Sequence, residues 1–218
     1  MTKEELAGKI DLTVLNPAAT VKDIEDLAKK ALIYPFATLC VPPCYASVAA
    51  RALKGSPVRT STVLGFPLGY NAVGVKRGEA LKAVMDGASE LDMVMNIALF
   101  KSGELRGVEE DISGVVKAVQ GALIKVIIEA CYLTDEEKLR ALEISVNAGA
   151  HFVKTSTGFG PKGATVEDVR LLSKGSSGRI RIKAAGGIKT LDEALRMIEA
   201  GADRLGTSSG LSIVAGLS

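Results

Sequence analysis

Asn147-Ala-Gly-Ala-His151-Phe-Val-Lys154-Thr-Ser-Thr-Gly-Phe-Gly160 combines a helix stop, a short apolar run, a lysine at its end, and a tail of hydroxyl and glycine residues. Gly149 suits the left-handed position that ends a helix. The apolar run that follows reads as a buried strand, and its abrupt opening into small polar residues marks the end where chemistry sits in parallel α/β folds. Asp86-Gly-Ala-Ser-Glu-Leu-Asp92 and Glu199-Ala-Gly-Ala-Asp-Arg-Leu-Gly206 repeat the step: a helix stops at Gly-Ala and a strand begins.

Working outward, apolar runs alternate with amphipathic stretches along the whole chain. Strands are expected at 9–13, 37–41, 58–64, 91–96, 125–130, 151–155, 180–184 and 204–206, and helices at 21–33, 44–54, 74–86, 105–120, 135–147, 166–172 and 191–200. Short helices are expected at both ends. Thr134-Asp-Glu-Glu137, Thr190-Leu-Asp-Glu193 and Thr165-Val-Glu-Asp168 read as helix-capping boxes, the last with Asp in place of Glu. Strict alternation of strand and helix implies parallel strands, and eight of them close a (β/α)8 TIM barrel. An open doubly wound sheet is the alternative. No Gly-x-Gly-x-x-Gly follows the first strand, which argues against its dinucleotide-binding form.

Nothing in the composition breaks the 218 residues into more than one domain: no Pro- or Ser-rich linker and no low-complexity segment interrupts them. With 27 Lys and Arg against 25 Asp and Glu, the net charge of +2 gives no reason to expect a nucleic-acid or membrane partner. Cys40, Cys44 and Cys131 are too few and too scattered for a disulfide framework, and no spanning helix or signal peptide is evident, so a cytoplasmic protein is expected. Its single histidine, His151, all but removes a Ser-His-Asp triad or a histidine-held metal, and no metal or other cofactor is expected. Cys40 and Cys44 lack the partners of a zinc site. His151, at the start of its strand, reads as structural.

The candidate chemistry lies in the register of the repeats. Five residues beyond Gly87, Gly149 and Gly201 stand Asp92, Lys154 and Gly206, and five beyond Gly178 stands Lys183. Equal rise per residue puts these near one level at the C-terminal ends of their strands. A lysine there is either a nucleophile or a solvated strand end. Burial and a second cation both disfavour the ammonium form, so Lys183 beside Lys154 points to the nucleophile. Two residues before these positions lie Glu90, Arg181 and Arg204, expected as a structural ion cluster deeper in the barrel. Asp11, ending the first strand, is a pocket residue or a lysine partner. Thr157-Gly-Phe-Gly160, Ala185-Gly-Gly187 and Gly206-Thr-Ser-Ser-Gly210 form glycine and hydroxyl turns after the last strands, and such turns hold phosphate in barrels.

Taken in order, Ile10-Asp-Leu-Thr13, Glu90-Leu-Asp-Met-Val-Met-Asn96, Lys154-Thr-Ser-Thr-Gly158, Lys183-Ala-Ala-Gly-Gly187 and Gly206-Thr-Ser-Ser209 resemble the deoxyribose-phosphate aldolase family, class I aldolases on a (β/α)8 barrel. The resemblance spans nearly the whole chain. It implies reversible cleavage of 2-deoxy-D-ribose 5-phosphate to acetaldehyde and D-glyceraldehyde 3-phosphate. By motif position Lys154 would form the Schiff base, Lys183 would hold down its pKa, and Asp92 would relay protons with water. Asp11 would position the lysines; Thr13, Cys40 and Gly158 would line the substrate site; Gly186, Gly187, Gly206, Ser208 and Ser209 would hold the phosphate. A homodimer or homotetramer is usual in the family. Where some members carry a lysine that grips the substrate, this chain has Phe159, and it ends Gly216-Leu-Ser218 without the tyrosine that reaches the site in others. A transaldolase-like or dehydroquinase-like Schiff-base enzyme, or a barrel that only senses a sugar phosphate, are the competing readings.

Overall fold

In the computed structural model, which describes residues 1–72 and 74–217, strand and helix alternate as the repeats predict. The strands are β1 (Ile10–Thr13), β2 (Thr38–Val41), β3 (Arg59–Leu64), β4 (Glu90–Val94), β5 (Leu123–Ile127), β6 (Phe152–Lys154), β7 (Arg181–Ala185) and β8 (Arg204–Thr207). All pair in parallel, and β8 returns to β1, closing the eight-stranded barrel expected from the sequence. Around it run α1 (Lys3–Ala7), α2 (Val21–Ala31), α3 (Ala46–Ala52), α4 (Val75–Met85), α5 (Ile97–Lys101), α6 (Leu105–Ala118), α7 (Asp135–Asn147), α8 (Val166–Ser176), α9 (Leu191–Glu199) and α10 (Gly210–Ala215).

The two largest helical departures from expectation have local reasons. Helix α5 lies directly after β4, where Asn96 accepts from Leu99 N–H through its side chain; five residues are too few to show a helical period. Helix α8 runs on to Ser176 because Ser177 adopts the left-handed stop (φ 47°) and Gly178 follows. The capping boxes at Thr134 and Thr190 form in full. At Thr165 only half forms: its hydroxyl accepts from Asp168 N–H, while Asp168 pairs with Lys138 at 2.6 Å instead of returning to the cap. The stops at Gly87, Gly149 and Gly201 are left-handed, with φ of 93°, 81° and 108°. Ser218, the last residue of the tail read from the sequence, lies outside the described residues.

The apolar core is the annulus between sheet and helices. Leu12, Leu39, Leu91, Ile124, Val153, Ile182 and Leu205 face outward into it, all essentially buried. Inside the ring the chemistry is reversed. Strand tilt steps the register by one residue per strand, so equal heights recur two strands on and two residues later. The register therefore stacks Cys40, Asp92, Lys154 and Gly206 in one layer and Asp11, Ser61, Lys125 and Lys183 in the layer beneath. Asp92, Lys154 and Gly206 share the level expected of them. Lys183, on an odd-numbered strand, sits one residue lower, so its amine rises towards Asp92 from below.

Because the outward face supplies the apolar burial, truncating it is costly. Leu205→Ala is expected to lower stability by about 2–5 kcal/mol in urea unfolding, without changing the denaturant sensitivity.

Candidate active site

Three buried carboxylates and four buried cations occupy the barrel interior. Asp92 is the hub. Its Oδ1 accepts from Lys125 Nζ at 2.8 Å, and its Oδ2 is shared by Lys154 Nζ at 2.8 Å and Lys183 Nζ at 2.6 Å. Asp11 accepts from Lys183 at 2.5 Å and from Arg204 at 2.6 Å, and Glu90 holds Lys125 at 2.8 Å and Arg204 at 3.3 Å. Arg59 reaches Glu90 from the N-terminal mouth at 2.9 Å. Asp11 is thus a lysine partner, which resolves the choice the sequence left open: it is fully buried and touches three cations, Lys125 also lying 3.4 Å from its Oδ2.

The expected cluster of Glu90, Arg181 and Arg204 is only partly formed. Arg181 is exposed at the N-terminal mouth, its guanidinium 4.0 Å from the centre of the Phe152 ring. It lies one layer too low, and Phe152 fills the space between it and the carboxylates. Lys125 takes the place assigned to Arg181. The sequence carried a signal for it, a lysine in the otherwise apolar Leu123-Ile-Lys-Val-Ile127.

The two central lysines differ in their share of negative charge. Burial acts against both ammonium forms. For Lys183 the attraction of Asp11 and Asp92 more than offsets burial, and its proton is held above the ordinary lysine value. Lys154 has only half of one carboxylate oxygen. Burial dominates there, Lys183 adds repulsion, and the amine is pushed below its ordinary value despite Asp92. Despite burial, Lys125, Lys154 and Lys183 keep the Asp92 carboxyl well below the usual carboxylate range.

Above this network lies a cavity of about 490 Å³, lined by Thr13, Lys154, Thr157, Gly158, Ala185, Gly186, Gly187, Gly206 and Ser208 among others. Of the interior lysines only Lys154 lines it: Lys154 is 3% exposed, Lys125 and Lys183 0%. Gly186 and Gly187 have φ of 89° and 82°, and a Cβ on the neighbouring Gly163 would fall 2.2 Å from Gly186 O. These glycines let the loop after β6 lie against the turn after β7. Gly206 has a different reason to lack a side chain: its Cβ would sit 3.1 Å from Lys183 Cε, in the path of the lysine.

Five expected residues stand away from the cavity, Asp11 and Lys183 lying fully buried beneath it. Asp92 meets it only through Lys154. Cys40 is fully buried in the layer of Lys154, where burial raises its thiol above the ordinary value. Ser209 lies behind the wall, its N–H donated to Thr207 Oγ1 at 2.9 Å. Phe159 is half exposed at the rim and packs edge-on against Phe66, centroids 5.2 Å apart. Lys189, which the sequence did not single out, lines the cavity beyond Gly187 and Ile188. His151 is structural, its Nδ1 accepting from Ile124 N–H at 3.1 Å.

A closed parallel (β/α)8 barrel with a buried lysine at the floor of a cavity at the C-terminal ends of its strands has the architecture of a barrel enzyme. Residues 6–216 match the model of the DeoC/LacD family aldolases, and the chain belongs to that family. It is 51% identical to a deoxyribose-phosphate aldolase of Clostridium kluyveri over 98% of this chain and 99% of that one. A deoxyribose-phosphate aldolase of Thermococcus kodakarensis is 52% identical, over 99% and 98% respectively. Among solved structures, the deoxyribose phosphate aldolase of Aeropyrum pernix, described as a unique tetramer, superposes with a TM-score of 0.92 at 35% identity, covering 98% of this chain and 91% of that one.

Asp11 and Asp92 sit below their unfolded value of about 3.9. Their pairing therefore contributes fully above that value and is lost as pH falls from it towards the depressed folded values. Lys125→Met removes the cation bound to Asp92 and Glu90. It is expected to cost about 3–5 kcal/mol and to move acid unfolding, followed by circular dichroism, to higher pH.

Proposed function

We propose that this chain reversibly cleaves 2-deoxy-D-ribose 5-phosphate to acetaldehyde and D-glyceraldehyde 3-phosphate through an imine on Lys154. One observation carries the reading: Lys154 is the interior lysine that lines the cavity, and it is the one whose proton is weakly held. A neutral amine attacks the open-chain aldehyde and expels water, giving a protonated imine. That imine is the electron sink. Removal of the substrate hydroxyl proton breaks the adjacent carbon–carbon bond, and the electron pair passes into the imine to leave an enamine. Protonation and hydrolysis then release acetaldehyde.

Lys183 keeps its own proton and competes with Lys154 for Asp92 Oδ2, which keeps Lys154 available as a nucleophile. Asp92 does not line the cavity, so its part in proton transfer runs through Lys154 and water. Thr13 and Gly158 border the reacting chain. Gly186, Gly187, Gly206 and Ser208 surround the phosphate, with Lys189 as the nearby cation in place of the lysine missing at Phe159. The Clostridium and Thermococcus relatives support the substrate. Work in deoxyribonucleoside catabolism, in the cytoplasm and as a homodimer or homotetramer, is consistent with them, the Aeropyrum tetramer favouring the assembly.

Incubation with acetaldehyde and borohydride is expected to leave an N-ethyl group on the Lys154 peptide, located by mass spectrometry. An adduct confined to Lys183 would reverse the roles, and no adduct would leave only a binding barrel. Lys183→Leu should give Lys154 sole use of Asp92 Oδ2 and so strengthen its hold on the proton. The acidic limb of the kcat/KM profile then moves to higher pH. Activity near neutrality falls by roughly a hundredfold and recovers in alkali; a defect equal at every pH would count against this account.

A further inference from the structure

One buried carboxylate takes no part in the barrel network. Glu129 follows β5 and is 2% exposed, yet among the described residues it forms no ion pair. Its backbone is left-handed, φ 48° and ψ 66°, a conformation that a non-glycine residue keeps only where its surroundings impose it. Ala130 N–H donates to Thr155 O at 2.8 Å and Tyr132 N–H to Glu129 O at 3.0 Å, which hold that turn in place.

So held, the carboxylate points beneath the loop after β6. Thr157 N–H donates to both of its oxygens at 3.3 Å, and Thr157 Oγ1–H donates to Oε2. Thr157 Oγ1 in turn accepts from Phe159 N–H at 3.0 Å. The chain of donors ends at Glu129 and spans Thr157, Gly158 and Phe159, three residues that line the cavity. Gly160 closes over the carboxylate, where a Cβ would come within 3.1 Å of Glu129 Cδ. Gly158 lies against Gly186, within 4.0 Å of its Cα by the same measure.

We propose that Glu129 is a positioning residue: through Thr157 it fixes the Thr157–Phe159 wall against the Gly186 turn, and so sets the shape of the subsite for the phosphorylated end of the substrate. The carboxylate accepts from the amide and the hydroxyl of one residue with the strength of charge-assisted bonds. A neutral amide keeps one oxygen for them but loses the charge, and it turns an NH2 donor towards the Thr157 N–H in place of the second oxygen. Lys154 chemistry is untouched, because Glu129 contacts none of the interior lysines. This role rests on the phosphosugar reading above.

The test compares wild type with Glu129→Gln, of nearly the same shape. Expected are faster amide hydrogen exchange confined to the 155–163 segment and a KM for 2-deoxyribose 5-phosphate raised about tenfold. The kcat stays within about twofold, and acetaldehyde labelling of Lys154 is unchanged. Thr157→Val should reproduce the KM defect, and the double variant should add little to either, since both act through one contact. Unchanged exchange and KM would overturn the proposal, as would a fall in labelling and Tm together, which would make Glu129 a support of the whole barrel. If wild type itself does not turn over the phosphosugar, it is the substrate reading that fails, and hydrogen exchange still decides whether Glu129 holds the loop.

Discussion

Asp92 Oδ2 is shared by two lysine amines, Lys154 at 2.8 Å and Lys183 at 2.6 Å, and the rest of the site follows from how unequal that sharing is. Lys183 has a second carboxylate in Asp11 and keeps its proton. Lys154 has none. The same oxygen that stabilises one ammonium is therefore prevented from fully stabilising the other, and burial tips Lys154 towards the free amine. An isolated buried lysine would also lose its proton readily, but it would have nothing beside it to hold a carboxylate ionised. Here the cation that weakens Lys154 also keeps Asp92 charged.

Such an interior is expensive to build. Each buried ion loses its hydration, and attraction offsets that loss only with close geometry and satisfied partners. The barrel meets the condition by stacking charges in alternating layers, so that each carboxylate meets cations from its own layer and the next. The apolar stabilisation is placed elsewhere, in the annulus beneath the helices. Function and stability are thus separated by strand face: residues at odd offsets hold the fold and those at even offsets hold the site.

That separation explains what could be read from the chain and what could not. Strand–helix alternation and the Gly-Ala stops gave eight strands and the level of Asp92, Lys154 and Gly206, because a period and a local turn are properties of neighbouring residues. The resemblance supplied the roles of Lys154, Lys183 and Asp92. Lys125 escaped because it precedes the apolar end of its strand and no helix stop counts up to it. Arg181 was misplaced because alternation tells inside from outside but not depth, and Phe152 closes the layer above it. Glu129 and Lys189 gave no pattern at all. One is defined by a left-handed turn and a partner 28 residues away, the other by which side of a cavity a loop happens to face.

The position of Phe159 shows how one substitution is absorbed by this geometry. A lysine on the loop after β6 would bring its charge to the cavity from a segment anchored by Glu129. With Phe159 packed edge-on against Phe66, position 159 brings no charge to the cavity, and the proposed reading takes its cation from Lys189 on the opposite turn. The two jobs, defining the wall and supplying the charge, then fall on different loops. Each is held by its own acid: Glu129 under the first, and Glu193, which accepts the Lys189 and Thr190 N–H groups at 2.8 and 3.0 Å, at the foot of the second. Among the described residues neither acid forms an ion pair with the Lys189 side chain, and this supports the proposed use of its charge towards a bound anion.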